Sequence, residues 1–353
     1  MHVFSVYLCI VKKRNHAFDL LCGICILRMI TLHIIQFTGQ IETVWWRDVM
    51  EWSFFFMSFF FFKAGYFNKT VSGDSKAYCL DRVKRLLVPY LTCGLIGDAI
   101  YFAFVPSLVE RYHRPIEPLM WSHIWEDSSF YGNTPTWFLF SFFCAYVVVH
   151  FMEKVRFLPW IVVGFPWISY WLWTEGNPLW MKLNNVFMGI FFFYLGRIWS
   201  RFIHRFGRRA MCGVSAAMLV AFCVCNVLWH GEYTMSCNRF TGDFLPIMIN
   251  STLALCGLAG VLLTLDIPRI PVLGYIGEHS MVYFLCHYPV LYFYKYMHLA
   301  FGHSIYHHLD ETFILWPVVM GLCTWAVPYF ERIPWLSGRW EKPRAMKLSV
   351  NNI

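Results

Sequence analysis

Two histidines stand inside long apolar runs, where a titratable side chain is costly to bury. His33 lies within "ILRMITLHIIQF" and His287 lies within "MVYFLCHYPVL". A neutral imidazole can take up and return a proton near physiological pH, which suits it to general acid–base chemistry on a hydroxyl group. Histidines in apolar bundles also serve as hydrogen-bonding residues between packed helices. The residue types therefore predict either a proton-transfer site or polar packing contacts.

Charged residues occur in the same kind of run. On insertion scales a charge at the middle of a membrane costs about 2.5–3.5 kcal/mol, so each one suggests a function. Counted at about 1.5 Å per residue from the basic flank of each run, His33, Asp98 and His287 reach depths that agree to about one helical turn. This geometry permits a cluster. Arg28 needs a carboxylate or a polar cavity, and Asp98, Glu51 or an anionic ligand are the candidates.

The composition decides which elements must position these groups. The chain has 353 residues, of which 58% are hydrophobic and only 14% are charged, with a mean hydropathy of +0.49. A soluble domain has about 25% charged residues. The apolar residues fall in blocks of about twenty, the length that crosses a hydrocarbon core, and no block alternates as a membrane β-strand does. We expect an all-α, polytopic membrane helix bundle rather than a soluble enzyme.

Ten spans are predicted. They cover approximately residues 18–37, 48–66, 86–105, 136–152, 158–175, 181–199, 210–229, 244–265, 276–297 and 312–330. Most of the 29 Lys and Arg residues fall in one alternate set of connections. By the positive-inside rule these connections and both termini are cytoplasmic. The net charge of +8 then reflects topology and indicates no nucleic-acid partner.

Three further expectations concern the long loop, the domain boundaries and the cysteines. The aromatic loop at 106–135 is expected to pack as a lid or a re-entrant segment, because long structureless loops are uncommon. Residues 14–335 are predicted to form one membrane domain, after a short N-terminal segment (1–13) and before a basic cytoplasmic tail (336–353). The 13 cysteines lie mostly in apolar blocks and lack zinc-ligand spacing, so we expect no metal site.

The segment "LGYIGEHSMVYFLCHYPVL" resembles the late signature of acyltransferase family 3, the integral-membrane O-acyltransferases of bacterial surface sugars. Gly277, Ser280, Tyr283 and His287 match that signature. The first span resembles the family pattern of an acidic residue, an Arg-Gly pair and a later His, and "FDLLCGICILRMITLH" supplies Asp19, Gly23 and His33 in register. The position of the family arginine is occupied by Cys22, and Arg28 lies six residues further on.

Four more segments resemble the family in the same order. They are "FFFFKAGYF", "DRVKRLLVPYL", "TPTWFLFSFF" and "MGIFFFYLGRI". The resemblance covers about residues 14–330, and its order suggests the branch of saccharide O-acetylases related to fucose and Nod-factor sugar acetylation.

The resemblance implies an enzyme of the bacterial inner membrane that moves an acyl group, most simply acetyl, from acetyl-CoA to a hydroxyl of a surface saccharide or lipid-linked sugar. We expect His33 to act as general base or as a transient acyl carrier. The expected catalytic residues are His33, His287 and Asp19. The expected substrate-binding residues are Arg28, Asp98, Tyr283, Ser280 and Trp137. The basic residues expected to meet the phosphates of acetyl-CoA are Lys63, Arg82 and Arg85.

Two other functions remain open. A proton-coupled secondary transporter of a sugar or lipid intermediate would also carry His and Asp at mid-depth, although the chain shows no paired repeats of the kind such folds have. A non-catalytic member of the family is the other alternative, because Cys22 replaces the family arginine.

Overall fold

The computed structural model describes residues 15–68, 74–112, 121–153, 155, 157–265, 267–268, 270–300 and 309–340. The predicted N-terminal segment (1–13) and residues 341–353 of the predicted tail lie outside the described residues. Of the described residues, 82% are helical. Their only sheet has two short strands. The all-α class predicted from composition is therefore confirmed.

The described residues form fifteen α-helices and one hairpin. The helices are α1 (His16–Phe37), α2 (Val44–Ser53), α3 (Phe56–Phe67), α4 (Ser75–Arg82), α5 (Val88–Tyr112), α6 (Trp121–Asp127), α7 (Trp137–Met152), α8 (Leu158–Thr174), α9 (Asn184–Phe202), α10 (Arg208–Leu228), α11 (Phe244–Thr264), α12 (Pro271–Glu278), α13 (Ser280–Ala300), α14 (Leu309–Arg332) and α15 (Pro334–Ser337). The antiparallel strands β1 (Glu232–Thr234) and β2 (Arg239–Thr241) pair with Glu232 opposite Thr241. A π-helical turn at Val83–Leu87 joins α4 to α5.

Six helical stretches in the described part of the chain are long and apolar enough to cross a membrane. They are His16–Phe37, Ser75–Ala103, Thr134–Met152, Arg208–Leu228, Phe244–Thr264 and Thr312–Arg332. The predicted number of ten is therefore not confirmed. The second predicted span is broken after Ser53, the fifth has 17 residues around Pro166, and the ninth is interrupted at His279 between α12 and α13.

Helix α1 lies at the centre of the bundle and packs against α3, α11, α12, α13 and α14. The contact with α12 is a backbone contact, because a Cβ added at Gly277 would lie 1.8 Å from the carbonyl oxygen of Asp19, and one at Gly23 would lie 2.2 Å from that of Leu273. Small residues allow membrane helices this close approach. The motif glycines thus fix where α1 stands relative to the α12–α13 segment, and with it the two histidines.

Helices α3 and α9 pack in the same manner. A Cβ at Gly65 would lie 1.6 Å from the carbonyl oxygen of Phe193, and one at Gly196 would lie 1.9 Å from that of Phe62. Both glycines belong to segments that resemble the family. The presence of glycine at these two positions therefore has a packing reason that is independent of chemistry.

The substitution Gly65→Ala should destabilise the protein by about 3 kcal/mol, the upper part of the usual range for overpacking a core. Only movement of backbone could make room for the methyl group. The measurement is the thermal unfolding midpoint of the detergent-solubilised protein. Gly164→Ala is the matched control, because a Cβ there meets no atom of the described residues within 4 Å. Equal midpoints for the two variants would contradict the close contact between α3 and α9.

The described part of the long aromatic loop enters the bundle, as the re-entrant expectation requires. Phe130, Asn133 and Thr136 are buried. The Asn133 side-chain amide donates to the carbonyl oxygen of Leu285 in α13 at 3.0 Å. Asp98 accepts a hydrogen bond from the backbone N–H of Gly132 at 2.8 Å. Residues 113–120 of this loop lie outside the described residues.

The compact domain extends beyond the predicted boundary at residue 335. Leu336 and Ser337 are buried. The indole N–H of Trp340 donates to the carbonyl oxygen of Lys84 at 2.8 Å. The first residues of the predicted tail therefore pack against the start of α5 rather than leaving the bundle.

Candidate functional site

The rings of His33 and His287 stack on each other. Their centroids lie 5.2 Å apart with an angle of 29° between the ring planes. His33 is on α1 and His287 on α13, and the Tyr288 ring contacts His33 edge-on at 5.1 Å. His287 is fully buried, whereas His33 is partly accessible. The two histidines singled out from apolar runs of the sequence thus form one pair.

Hydrogen bonds set which nitrogen of each ring carries the proton. Nδ1 of His287 lies 3.0 Å from the carbonyl oxygen of Tyr283, which can only accept, so Nδ1 donates. Nε2 of His287 then holds a lone pair, and it has no partner among the described residues. Nδ1 of His33 likewise lies 2.9 Å from Oε1 of Gln36. Nε2 of His33 is consequently the nitrogen available to accept a proton.

His33 opens onto a cavity of about 160 Å³, which we call the histidine cavity. Its wall includes Arg28 and Trp137, two of the residues predicted to bind substrate, together with the β1–β2 hairpin. The hairpin contributes Glu232, Tyr233, Thr234, Met235, Ser236 and Arg239. The wall of the histidine cavity therefore combines charged and polar residues with aromatic and aliphatic ones.

The hairpin is held over this cavity by Asn238. Its backbone has φ +49°, a left-handed conformation that asparagine tolerates better than most residues. Its Oδ1 accepts from the Ser169 hydroxyl at 2.6 Å and from the Tyr233 hydroxyl at 3.0 Å, and its Nδ2 donates to the Ser169 carbonyl at 2.9 Å. Burial raises the pKa of Tyr233, so its hydroxyl remains a donor. Asn238 therefore ties the hairpin to α8.

Arg28 lines the histidine cavity, but it pairs with neither Asp98 nor Glu51, the carboxylates proposed from the sequence. Its Nε donates to the Ser53 hydroxyl at 3.1 Å, and its guanidinium carbon lies 3.8 Å from the Phe56 ring centroid. Glu51 instead contacts His230. Among the described residues, the two terminal amino groups of Arg28 have no hydrogen-bond partner. They face a cavity that Glu232 also lines, and this carboxylate attracts the Arg28 guanidinium electrostatically.

A second cavity of about 290 Å³ lies nearer the beginning of α13, and we call it the lysine cavity. Its polar residues are Lys63, Ser280 and Tyr146, and the rest of its wall is apolar. Nζ of Lys63 donates to Sγ of Cys22 at 2.9 Å. A cation from α3 therefore lies directly against the position where the family pattern has arginine.

The other two basic residues predicted to meet acetyl-CoA differ in their contacts. The guanidinium carbon of Arg82 lies 4.4 Å from the ring centroid of Tyr146, which lines the lysine cavity. Nε of Arg85 donates to Asp81 at 2.7 Å. Lys63 thus lines the cavity directly, whereas Arg82 reaches only its wall residue Tyr146 and, like Arg85, lies close to Asp81.

The side chains of four predicted site residues lie apart from the histidine pair. Asp19 lies 14 residues before His33 on α1, about 21 Å along the helix, where it packs against Gly277. The Tyr283 hydroxyl pairs with Thr324 at 2.6 Å. Asp98 accepts its hydrogen bond from the re-entrant loop instead. Of the three titratable groups expected to cluster, only His33 and His287 therefore lie together. Ser280 lies in the lysine cavity rather than beside the histidines.

The chain matches one known protein family over most of its length. The model of one protein family, described as an acyltransferase domain of family 3, matches residues 15–330. This range contains the histidine pair, both cavities and the hairpin. Comparison with curated proteins gives no match, and neither does comparison with solved structures. Among the described residues, no three His, Cys, Asp or Glu side chains are grouped as metal ligands.

Proposed function

Because the chain belongs to acyltransferase family 3, we propose that it moves an acyl group, most simply acetyl, from acyl-CoA to a hydroxyl of a saccharide or lipid-linked sugar in the bacterial inner membrane. The observation that carries this proposal is the stacked pair of His33 and His287 at the edge of a polar cavity. The neighbouring cavity with a lysine gives the proposal a second support.

In the proposed reaction, His33 is the general base. Its Nε2 takes the proton of the acceptor hydroxyl while the hydroxyl oxygen attacks the thioester carbonyl carbon. The C–S bond then breaks, and the departing thiolate takes the proton back from His33. The products are an acyl ester and free CoA. His287 stays neutral behind His33 and holds its ring in place.

The two cavities suit the two substrates. The lysine cavity has apolar walls and a cation, which fit an acyl-pantetheine arm that carries phosphates at its far end. Lys63 and Arg82 would meet those phosphates. The histidine cavity has an arginine, a carboxylate and Trp137, which fit the hydroxyls and the face of a sugar ring. Basic residues predict that the lysine cavity opens to the cytoplasm, where acyl-CoA is made.

The purified protein in proteoliposomes should release free CoA from labelled acetyl-CoA only when a lipid-linked sugar or glycan fraction is present. The label should appear in that fraction as an ester that mild alkali removes. Empty liposomes with the same fraction are the control. Movement of a sugar across the membrane without any release of CoA would contradict the proposal and favour a transporter.

A further inference from the structure

One described residue, Phe284, lines both cavities. It belongs to α13, one turn after Ser280 of the lysine cavity and about one turn before His287. Its side chain is buried, with 5% of its surface exposed. Among the described residues, Phe284 is therefore the one side chain that the walls of the two cavities share.

The neighbours of Phe284 include one ring of the lysine cavity and one ring of the histidine pair. Its ring centroid lies 5.5 Å from that of Phe138, which lines the lysine cavity. It lies 6.5 Å from the ring centroid of His287. A ligand in the lysine cavity consequently meets aromatic side chains before it meets an imidazole.

We propose that Phe284 is a gate between the two cavities and that its ring decides which acyl groups reach His33. The second part of this inference rests on the proposed function, whereas the separation of the cavities does not. A phenylalanine ring can swing about its side-chain torsions without movement of the helix backbone. An apolar constriction of this kind also excludes water, and it would shield the thioester from hydrolysis while no acceptor is bound.

The first test measures the separation without any acyl transfer. Phe284→Ala and wild-type protein are reconstituted in proteoliposomes that contain a pH-sensitive dye, and proton leak is followed after an external pH step. Phe284→Ala should leak about tenfold faster, because it removes the constriction. Phe142→Ala is the matched control, since Phe142 lines the lysine cavity alone. A leak for Phe284→Ala that equals the leak for Phe142→Ala and wild type would overturn the gate.

The second test measures the choice of acyl group. With acetyl-CoA and butyryl-CoA as donors, Phe284→Ala should raise the butyryl-to-acetyl ratio of transfer rates by about tenfold, the usual effect of a small change in pocket size. Phe284→Trp should slow transfer of both. An unchanged ratio in a folded Phe284→Ala protein would overturn the selective role. Phe284→Leu provides the same comparison with a smaller loss of packing.

The two tests separate the possible failures. If wild type and variants consume no acyl-CoA but only Phe284→Ala leaks, the proposed function fails and the gate stands. If acyl transfer occurs but neither leak nor chain-length preference changes, the proposed function stands and the gate fails. Thermal unfolding midpoints show that the variants compared are folded.

Discussion

Replacing His33 with alanine should slow acyl transfer by about 1,000-fold, the middle of the range for a general base. The imidazole is the one described base with an unpaired nitrogen on the histidine cavity. Its loss removes the proposed proton acceptor of the hydroxyl, while binding of acyl-CoA in the lysine cavity should be unchanged. The measurement is the initial rate of CoA release with a saturating acceptor, together with the KM for acetyl-CoA.

Two further variants separate catalysis from packing. His33→Gln keeps a polar side chain against His287 but cannot take up a proton, so it should be as inactive as His33→Ala. Gln36→Ala should be milder, because Gln36 only orients Nδ1 of His33. Retention of most activity by His33→Gln would contradict the general-base role. If His33 instead carries the acyl group, wild type should exchange labelled CoA into acetyl-CoA without acceptor.

Much of this site was predictable because membranes restrict what a sequence can do. A polar residue in an apolar helix needs a partner, and counting depth along each run placed His33 and His287 at one level, where the structure stacks their rings. The same calculation of depth placed Asp98 level with the two histidines. Depth alone does not say which way a side chain points around its helix, and Asp98 points to the backbone of the re-entrant loop.

Other features depend on contacts between distant segments. The segments "EYT" and "RFT" alternate polar and apolar residues on either side of a short turn, which is the pattern of a β-hairpin. Strands of three residues are weak evidence for a hairpin in a chain made mostly of apolar runs. The environment of Arg28 could not be predicted either. Its cavity is closed by this hairpin, about 200 residues later in the sequence.

The break between α2 and α3 shows the same limit. An apolar run of about twenty residues predicts one span. Here the helix is interrupted at Phe54 and Phe55, which are both buried. The interruption lets Ser53 meet Arg28, and it lets α3 present Lys63 to Cys22. Hydropathy reports where a segment is apolar, whereas tertiary packing decides whether it forms one helix or two.

Replacing Lys63 with alanine should raise the KM for acetyl-CoA by about 10- to 100-fold, because a hydrogen bond to a charged group contributes about 1.5–3 kcal/mol. Lys63 is the only cation among the described residues that line the lysine cavity. Lys63→Arg keeps the charge and should retain most of the affinity. Lys76→Ala, which removes an exposed basic residue of α4, is the control and should leave the KM unchanged.

The double variant Cys22→Arg with Lys63→Ala tests whether the cation has moved from α1 to α3 in this chain. An arginine at position 22 follows the family pattern, and removal of Lys63 clears the space that its ammonium group occupies beside Sγ of Cys22. This variant should recover a KM within about tenfold of wild type. Cys22→Arg alone places two cations together in a buried site and should lower the thermal midpoint without improving transfer. If Lys63→Ala keeps the wild-type KM, the lysine does not take the place of the family arginine.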